Sequence, residues 1–180
     1  MQEVGFNLYH DMLAHTVRSL QAGREPDLTQ PLGVTTEINL HVPALLPADY
    51  CSDVHERLVL YKRLANCGTE EALTAMHEEL VDRFGTLPEA AQALVESHRL
   101  RILAHPLGAV RIDAPADHVQ IQFGPHPAVD AARVIELVQK SRGWKLAGPT
   151  KLRAPIAGAT PKERVLAVRK VLEALAGPAR

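Results

Sequence analysis

The chain has 180 residues, with 20 lysines and arginines against 21 aspartates and glutamates, for a formal net charge of −1. That near balance argues against a nucleic-acid or anionic-membrane surface driven by bulk charge, although local patches remain open. A chain this long buries roughly two-thirds of its unfolded surface when compact. Its two cysteines, Cys51 and Cys67, are therefore not needed as a staple, and with no secretory signal or membrane span beside them they read as reduced cytoplasmic thiols.

From the N-terminus, Phe6, Tyr9, Leu13, Val17 and Leu20 recur at helical spacing and Gly23 stops the pattern, so residues 1–23 read as an amphipathic helix. Residues 24–34 are polar, aperiodic and hold two prolines, which predicts a linker and a domain boundary. A domain from 35 to 180 follows. Thr36, Ile38, Leu40 and Val42 alternate with Thr35, Glu37, Asn39 and His41, the pattern of a half-buried strand ended by Pro43. Ser52 then stands as the cap of a helix with Val54, Leu58, Tyr61 and Leu64/Ala65 on its buried face, closed by Cys67-Gly68.

Thr69 caps a second helix with Glu70 and Glu71 in its first turn, a stripe of Leu73, Met76/His77, Leu80 and Phe84, and Gly85 as a left-handed stop. Pro88 opens a third, with Ala91, Leu94, Val95, His98 and Ile102 along one side. Beyond Gly108 the period becomes two. Val110 and Ile112, then Val119, Ile121 and Phe123, predict a hairpin, followed by a helix from about Pro127 to Lys140. Two short strands about Gly148-Pro149 and a final helix opened by Thr160-Pro161 complete the chain, the last with Val165, Val168, Val171, Leu172 and Leu175 inward. Strands and helices do not alternate strictly, so the class is α+β: a helical middle segment packed with a small, mainly antiparallel sheet.

Catalytic signatures are missing. His77-Glu78 starts like the zinc-protease helix motif, but Val81 stands where the second histidine belongs. Ser19, Ser52, Ser97 and Ser141 lack an elbow of glycines, and neither "GPTK" nor "GATPKER" is a phosphate-wrapping loop. Arg57, Lys62, Arg63, Arg99, Arg101, Lys145, Lys151 and Arg153 could touch phosphate, but without interleaved aromatics a solvated surface accounts for them better. The sharper anomaly is acidic. Glu79 and Asp82, three apart near the end of the second helix, make one patch beside the Leu80/Phe84 stripe, and Asp82 opposes the negative C-terminal end of the helix dipole. An intrahelical Glu79–Arg83 pair with a tolerated Asp82 explains them as well as a docking site for a basic partner does.

The segments "VGFNLYHDML", "LLPADYCSDVHERLVLYKRLA" and "EELVDRFGTLP", in that order, with "GPTKLR" later, resemble the C-terminal end of the bacterial transcription-repair coupling factors. Cys51 departs from the family's aliphatic residue there, and residues 113–118 are not diagnostic. The full-length family protein is an ATP-driven DNA translocase, using ATP and Mg, that displaces stalled RNA polymerase on double-stranded DNA and recruits the repair protein UvrA. The resemblance implies that this chain is its noncatalytic, cytoplasmic C-terminal domain, with no cofactor or metal of its own and no membrane partner. It also implies a linking helix over residues 1–23 and a regulatory role: docking in cis on the UvrB-like module, hiding the UvrA surface and restraining the translocase. Carried over through Glu-Leu-x-Asp-Arg-Phe-Gly, Glu79 and Asp82 become the partner-binding residues. The alternative is an accessory domain contacting DNA or polymerase through residues such as Lys62, Arg63 or Lys151.

Overall fold

The structure, a computed structural model, describes residues 36–125 and 127–177. The expected helix at 1–23 and linker at 24–34 lie outside the described residues. In chain order the elements are β1 (Glu37–Asn39), α1 (Val54–Asn66), α2 (Glu70–Phe84), α3 (Glu89–Ala104), a 3-10 turn (His105–Leu107), β2 (Ala109–Asp113), β3 (His118–Phe123), α4 (Ala131–Lys140), β4 (Lys145–Gly148), β5 (Lys151–Pro155) and α5 (Pro161–Ala176). The chain is α+β, and the described residues divide into a helical unit holding 42–98 and a sheet unit holding 36–41 and 99–177.

In the helical unit, α1 begins one residue later than Ser52 predicts. Asp53 is the cap, and its carboxylate accepts from the backbone N–H groups of His55 and Glu56. A carboxylate beside the positive end of the helix gains from the dipole as well as the hydrogen bonds, which a serine hydroxyl at position 52 cannot match. The buried face of α1 is also rotated from the expected one: Leu60, Tyr61 and Leu64 are inside, while Val54 and Leu58 are exposed. Tyr61 sets this rotation, because its hydroxyl accepts the buried Leu46 N–H at 2.7 Å.

Thr69 caps α2 as expected, accepting from Ala72 N, and Leu73, Met76 and Leu80 are its buried stripe. Gly85 has a positive φ of 89° but an extended ψ of −168°, so it ends the helix without entering the left-handed helical well. Phe84 is half-buried rather than a core anchor. Its ring leans on Tyr50 at 5.5 Å between centroids, while the Tyr50 hydroxyl donates toward Leu80 O and Gly85 O. In α3, Ala91, Ala93, Leu94, Val95, His98, Leu100 and Ala104 are buried, a wider surface than the single side predicted.

In the sheet unit the strand order is β1-β2-β3-β5-β4, with β1 parallel to β2 and every other pair antiparallel. β1 is shorter than its alternation suggests, because His41 turns the chain with φ at 55° before Pro43 is reached. Ile38, Ile112, Ile121 and Leu152 are paired across successive strands and form the core row. Val110 leaves the predicted inward face because the ladder shifts between Ala109 and Arg111; Ala109 is buried in its stead. α4 starts at Ala131, capped by Asp130, four residues after the Pro127 start predicted.

The β4–β5 hairpin and α5 stand where the sequence puts them. Thr160 and Glu163 close a capping box, and Val165, Val168, Val171, Leu172 and Leu175 are buried. Arg164 is buried too: its guanidinium donates to Gly158 O at 2.9 Å and Leu40 O at 2.7 Å, tying α5 to the end of β1.

Candidate partner-binding site

The two residues singled out as a docking pair, Glu79 and Asp82, both lie on α2, but the fold gives them different surroundings. At 3.6 residues per turn Glu79 points about 100° from the buried Leu80, toward the flank that meets α1, whereas Asp82 points about 160° away, onto the outermost ridge. Asp82 is therefore opposite the core stripe, not beside it. The short connection from Asn66 to Glu70 makes α1 and α2 sequence neighbours, and ion pairs run along their shared flank.

Arg63 of α1 grips Glu79 with both terminal nitrogens, Nη1 to Oε2 and Nη2 to Oε1, the second bond at 2.9 Å. Arg83 reaches the other way across the flank to Glu56 of α1, and its Nη1 lies 3.7 Å from Glu79 Oε2. The Arg83 guanidinium also sits 5.0 Å over the Phe84 ring. Two acids and two arginines thus alternate between the helices and cancel. Hydrogen bonds from Arg63 hold the Glu79 carboxyl below its usual pKa, with the arginine's charge acting in the same direction and the slight burial opposing both. The predicted Glu79–Arg83 contact exists, but only as the longer, secondary one.

Asp82 is exposed and makes no ion pair among the described residues. Glu78 and Glu71, one and three turns back on the same ridge, are exposed as well, with the small Ala75 between them. The surplus negative charge of α2 is on this ridge and not at Glu79. Over residues 42–98 there are four lysines and arginines against ten aspartates and glutamates, a net −6. Over 36–41 and 99–177 there are thirteen against seven, a net +6. The near-zero charge of the whole chain conceals two strongly and oppositely charged units.

Of the basic residues considered from sequence, Arg63 is taken up by Glu79, Arg57 donates to Cys51 O at 2.8 Å, and Lys62 is exposed on α1. Lys145, Lys151 and Arg153 are brought together on the sheet. The Arg63–Glu79 grip escaped the sequence reading because its partners are 16 residues apart. The usable signal was the three-residue break between two capped helices, which forces them side by side. Among the described residues no group of three or more His, Cys, Asp or Glu could hold a metal ion, and no helix is long and apolar enough to cross a membrane.

A family model described as the TRCF domain matches residues 40–134. The transcription-repair-coupling factor of Escherichia coli (strain K12) is 40% identical over 154 residues, covering 85% of this chain and 13% of that protein. The transcription-repair-coupling factor of Myxococcus xanthus is 34% identical over 176 residues, covering 96% of this chain and 14% of that protein. A crystal structure of the C-terminal domain of transcription-repair coupling factor shares the fold, with a TM-score of 0.61 at 19% identity over 81% of this chain and 98% of that one. The chain belongs to the TRCF domain family. It spans only 13–14% of the length of these two relatives.

Proposed function

We propose that residues 35–180 form the autoinhibitory C-terminal domain of a transcription-repair coupling factor, docking in cis on the UvrB-like module. There it masks the UvrA-binding surface and restrains the ATP-driven translocase until polymerase is engaged. On this reading the domain is noncatalytic and cytoplasmic, ATP and Mg serve the rest of the protein, and RNA polymerase, UvrA and duplex DNA are partners of the whole. The observation that carries the reading is the unpaired, exposed Asp82 on a ridge shared with Glu71 and Glu78, in a helical unit of net charge −6.

Such a ridge suits arginines of a partner, which make charge-assisted bonds to carboxylates, and exposed rim charges give the moderate affinity that a releasable clamp needs. Coupling of about 1–3 kcal/mol is enough to shift a closed–open equilibrium. On this reading the two residues have separate tasks, which the internal grip on Glu79 supports. Asp82 is the direct contact, and Glu79 holds α2 against α1 while offering its remaining lone pairs to the partner.

The test is titration of this chain against the isolated UvrB-like module. Asp82→Arg is expected to weaken binding at least tenfold, about 1.4 kcal/mol, with an unchanged or slightly raised melting temperature. Glu79→Arg is expected to weaken binding and lower the melting temperature together. In the full-length protein both reversals raise UvrA capture. Binding that survives both unchanged refutes the docking assignment, and unchanged UvrA capture refutes the masking.

A further inference from the structure

The outward face of the five-stranded sheet is set by two rows of directly paired residues. One row is Glu37, Arg111, Gln122, Lys151 and Gly148; the other is Asn39, Asp113, Gln120, Arg153 and Lys145. Paired residues point to the same side of a sheet. Their neighbours Ile38, Ile112, Ile121 and Leu152 form the core row on the opposite side. No residue of the two outward rows is buried. The acids stand at the β1–β2 end, where Asp113 is already bonded to His41 Nε2 at 2.6 Å. The β3–β5–β4 end carries Lys145, Lys151 and Arg153 beside the amides of Gln120 and Gln122. None of these three cations makes an ion pair among the described residues.

Two features separate this cluster from ordinary solvated charge. Lys145 and Arg153 are directly opposite each other across the β4–β5 ladder, an arrangement in which like charges destabilise the pair. A lysine on the edge strand β4 could serve only to discourage strand addition, but β5 is an interior strand, where Lys151 and Arg153 have no such use. Lys151 and Arg153 are two residues apart on one strand, roughly 6.7 Å, and Lys145 is about 5 Å across from Arg153. The sheet thus holds three cations at close range without a direct ion pair among the described residues; the exposed carboxylate of Asp117 feels Arg153 only from beyond contact distance.

We propose that this face binds the phosphodiester backbone of duplex DNA. The two rows contain no aromatic side chain and no large aliphatic one. That composition lacks both the stacking platform of a single-strand site and the apolar anchors of a protein interface. Lysine, arginine and amide donors on a flat surface match phosphate oxygens, which position a duplex without reading its sequence. This surface belongs to the sheet unit of net charge +6 and shares no residue with the helical docking ridge.

The experiment is fluorescence anisotropy of a labelled random-sequence DNA duplex titrated with the whole chain at several salt concentrations. Three neutralised phosphates give a log–log salt slope of about −2.7, so affinity falls about 40-fold between ~50 and ~200 mM salt. Lys151→Gln should reduce that loss to about 12-fold. The triple variant Lys145→Gln/Lys151→Gln/Arg153→Gln should bind with almost no salt dependence, at an unchanged or raised melting temperature. Lys62→Gln and Asp82→Arg should leave the slope as it is, which separates this outcome from failure of the docking reading. A triple variant that keeps the full slope, or equal loss in Lys62→Gln, overturns the assignment. Binding of poly-glutamate without binding of the duplex assigns the face to an acidic protein and also ends the proposal.

Discussion

Removing the Arg63–Glu79 grip tests whether Glu79 has the structural task that distinguishes it from Asp82. Two unit charges ~4 Å apart attract by about 4 kcal/mol at an effective dielectric of 20. Here both partners are substantially exposed, at 45% and 37% of the side chain, so water screens most of that. Exposed pairs couple by about 0.2–1 kcal/mol, and a bidentate arginine belongs at the upper end, so about 1 kcal/mol is expected. The assay is a double-mutant cycle of Arg63→Ala and Glu79→Ala by urea unfolding at neutral pH, with Arg83 retained; its secondary contact with Glu79 is lost equally in Glu79→Ala and in the double variant and so cancels from the coupling energy. In 1 M salt, where the screening length is ~3 Å, most of the coupling should vanish. Because Glu79 has a lowered folded-state pKa, its contribution is complete above the unfolded carboxyl pKa and is lost as pH falls through the folded value. Asp82→Asn in the same assay should be neutral or stabilising by about 0.3 kcal/mol, since it removes an acid from the negative end of α2. Coupling below about 0.2 kcal/mol at low salt, or coupling that persists undiminished in 1 M salt or in acid, would refute the reasoning.

Three further changes have definite expectations. Tyr61→Phe leaves the buried Leu46 N–H without its acceptor and should cost about 1–3 kcal/mol of unfolding free energy, measured by urea denaturation. Gly158→Ala would place a Cβ 2.8 Å from the Arg164 Cα. The obstacle is backbone, so a loss of about 1–3 kcal/mol is expected, read as a lowered melting temperature. Thr160→Ala opens the capping box at the start of α5 and should destabilise by roughly 0.5–2 kcal/mol, with faster amide exchange confined to the first turn of that helix.

Sequence pattern placed the described elements well wherever local chemistry decides. Thr69 and Thr160 announce their helices, the alternation around Ile112 and Ile121 announces a sheet, and Gly148-Pro149 announces a hairpin. It failed where a stronger neighbour or a distant group outweighed the expected rule. Ser52 lost the cap to an acid one residue on, the hydroxyl of Tyr61 turned α1 away from its Val54–Leu58 stripe, and a bulge displaced Val110. At the candidate site the acidic pair was legible as a pair, but not as two residues with different surroundings. An interhelical partner 16 residues away leaves no trace in a spacing rule built on one helix.

The sequence by itself determined the α+β class, the family and the identity of the acids near the end of α2, because periodicity, caps and ordered motifs are properties of neighbouring residues. Tertiary structure alone decided which of those acids is free. Arg63 neutralises Glu79 only once α1 and α2 lie side by side, while Asp82 points out on the opposite side of α2 from its core stripe. Tertiary structure also decided how the chain's balanced charge is divided. Long-range folding joins residues 36–41 to the segment 99–177 as one sheet unit, and strand register then lines up Lys145, Arg153 and Lys151 on one face. Coulomb forces act on distance in space, and distance in space is what a linear chain does not record.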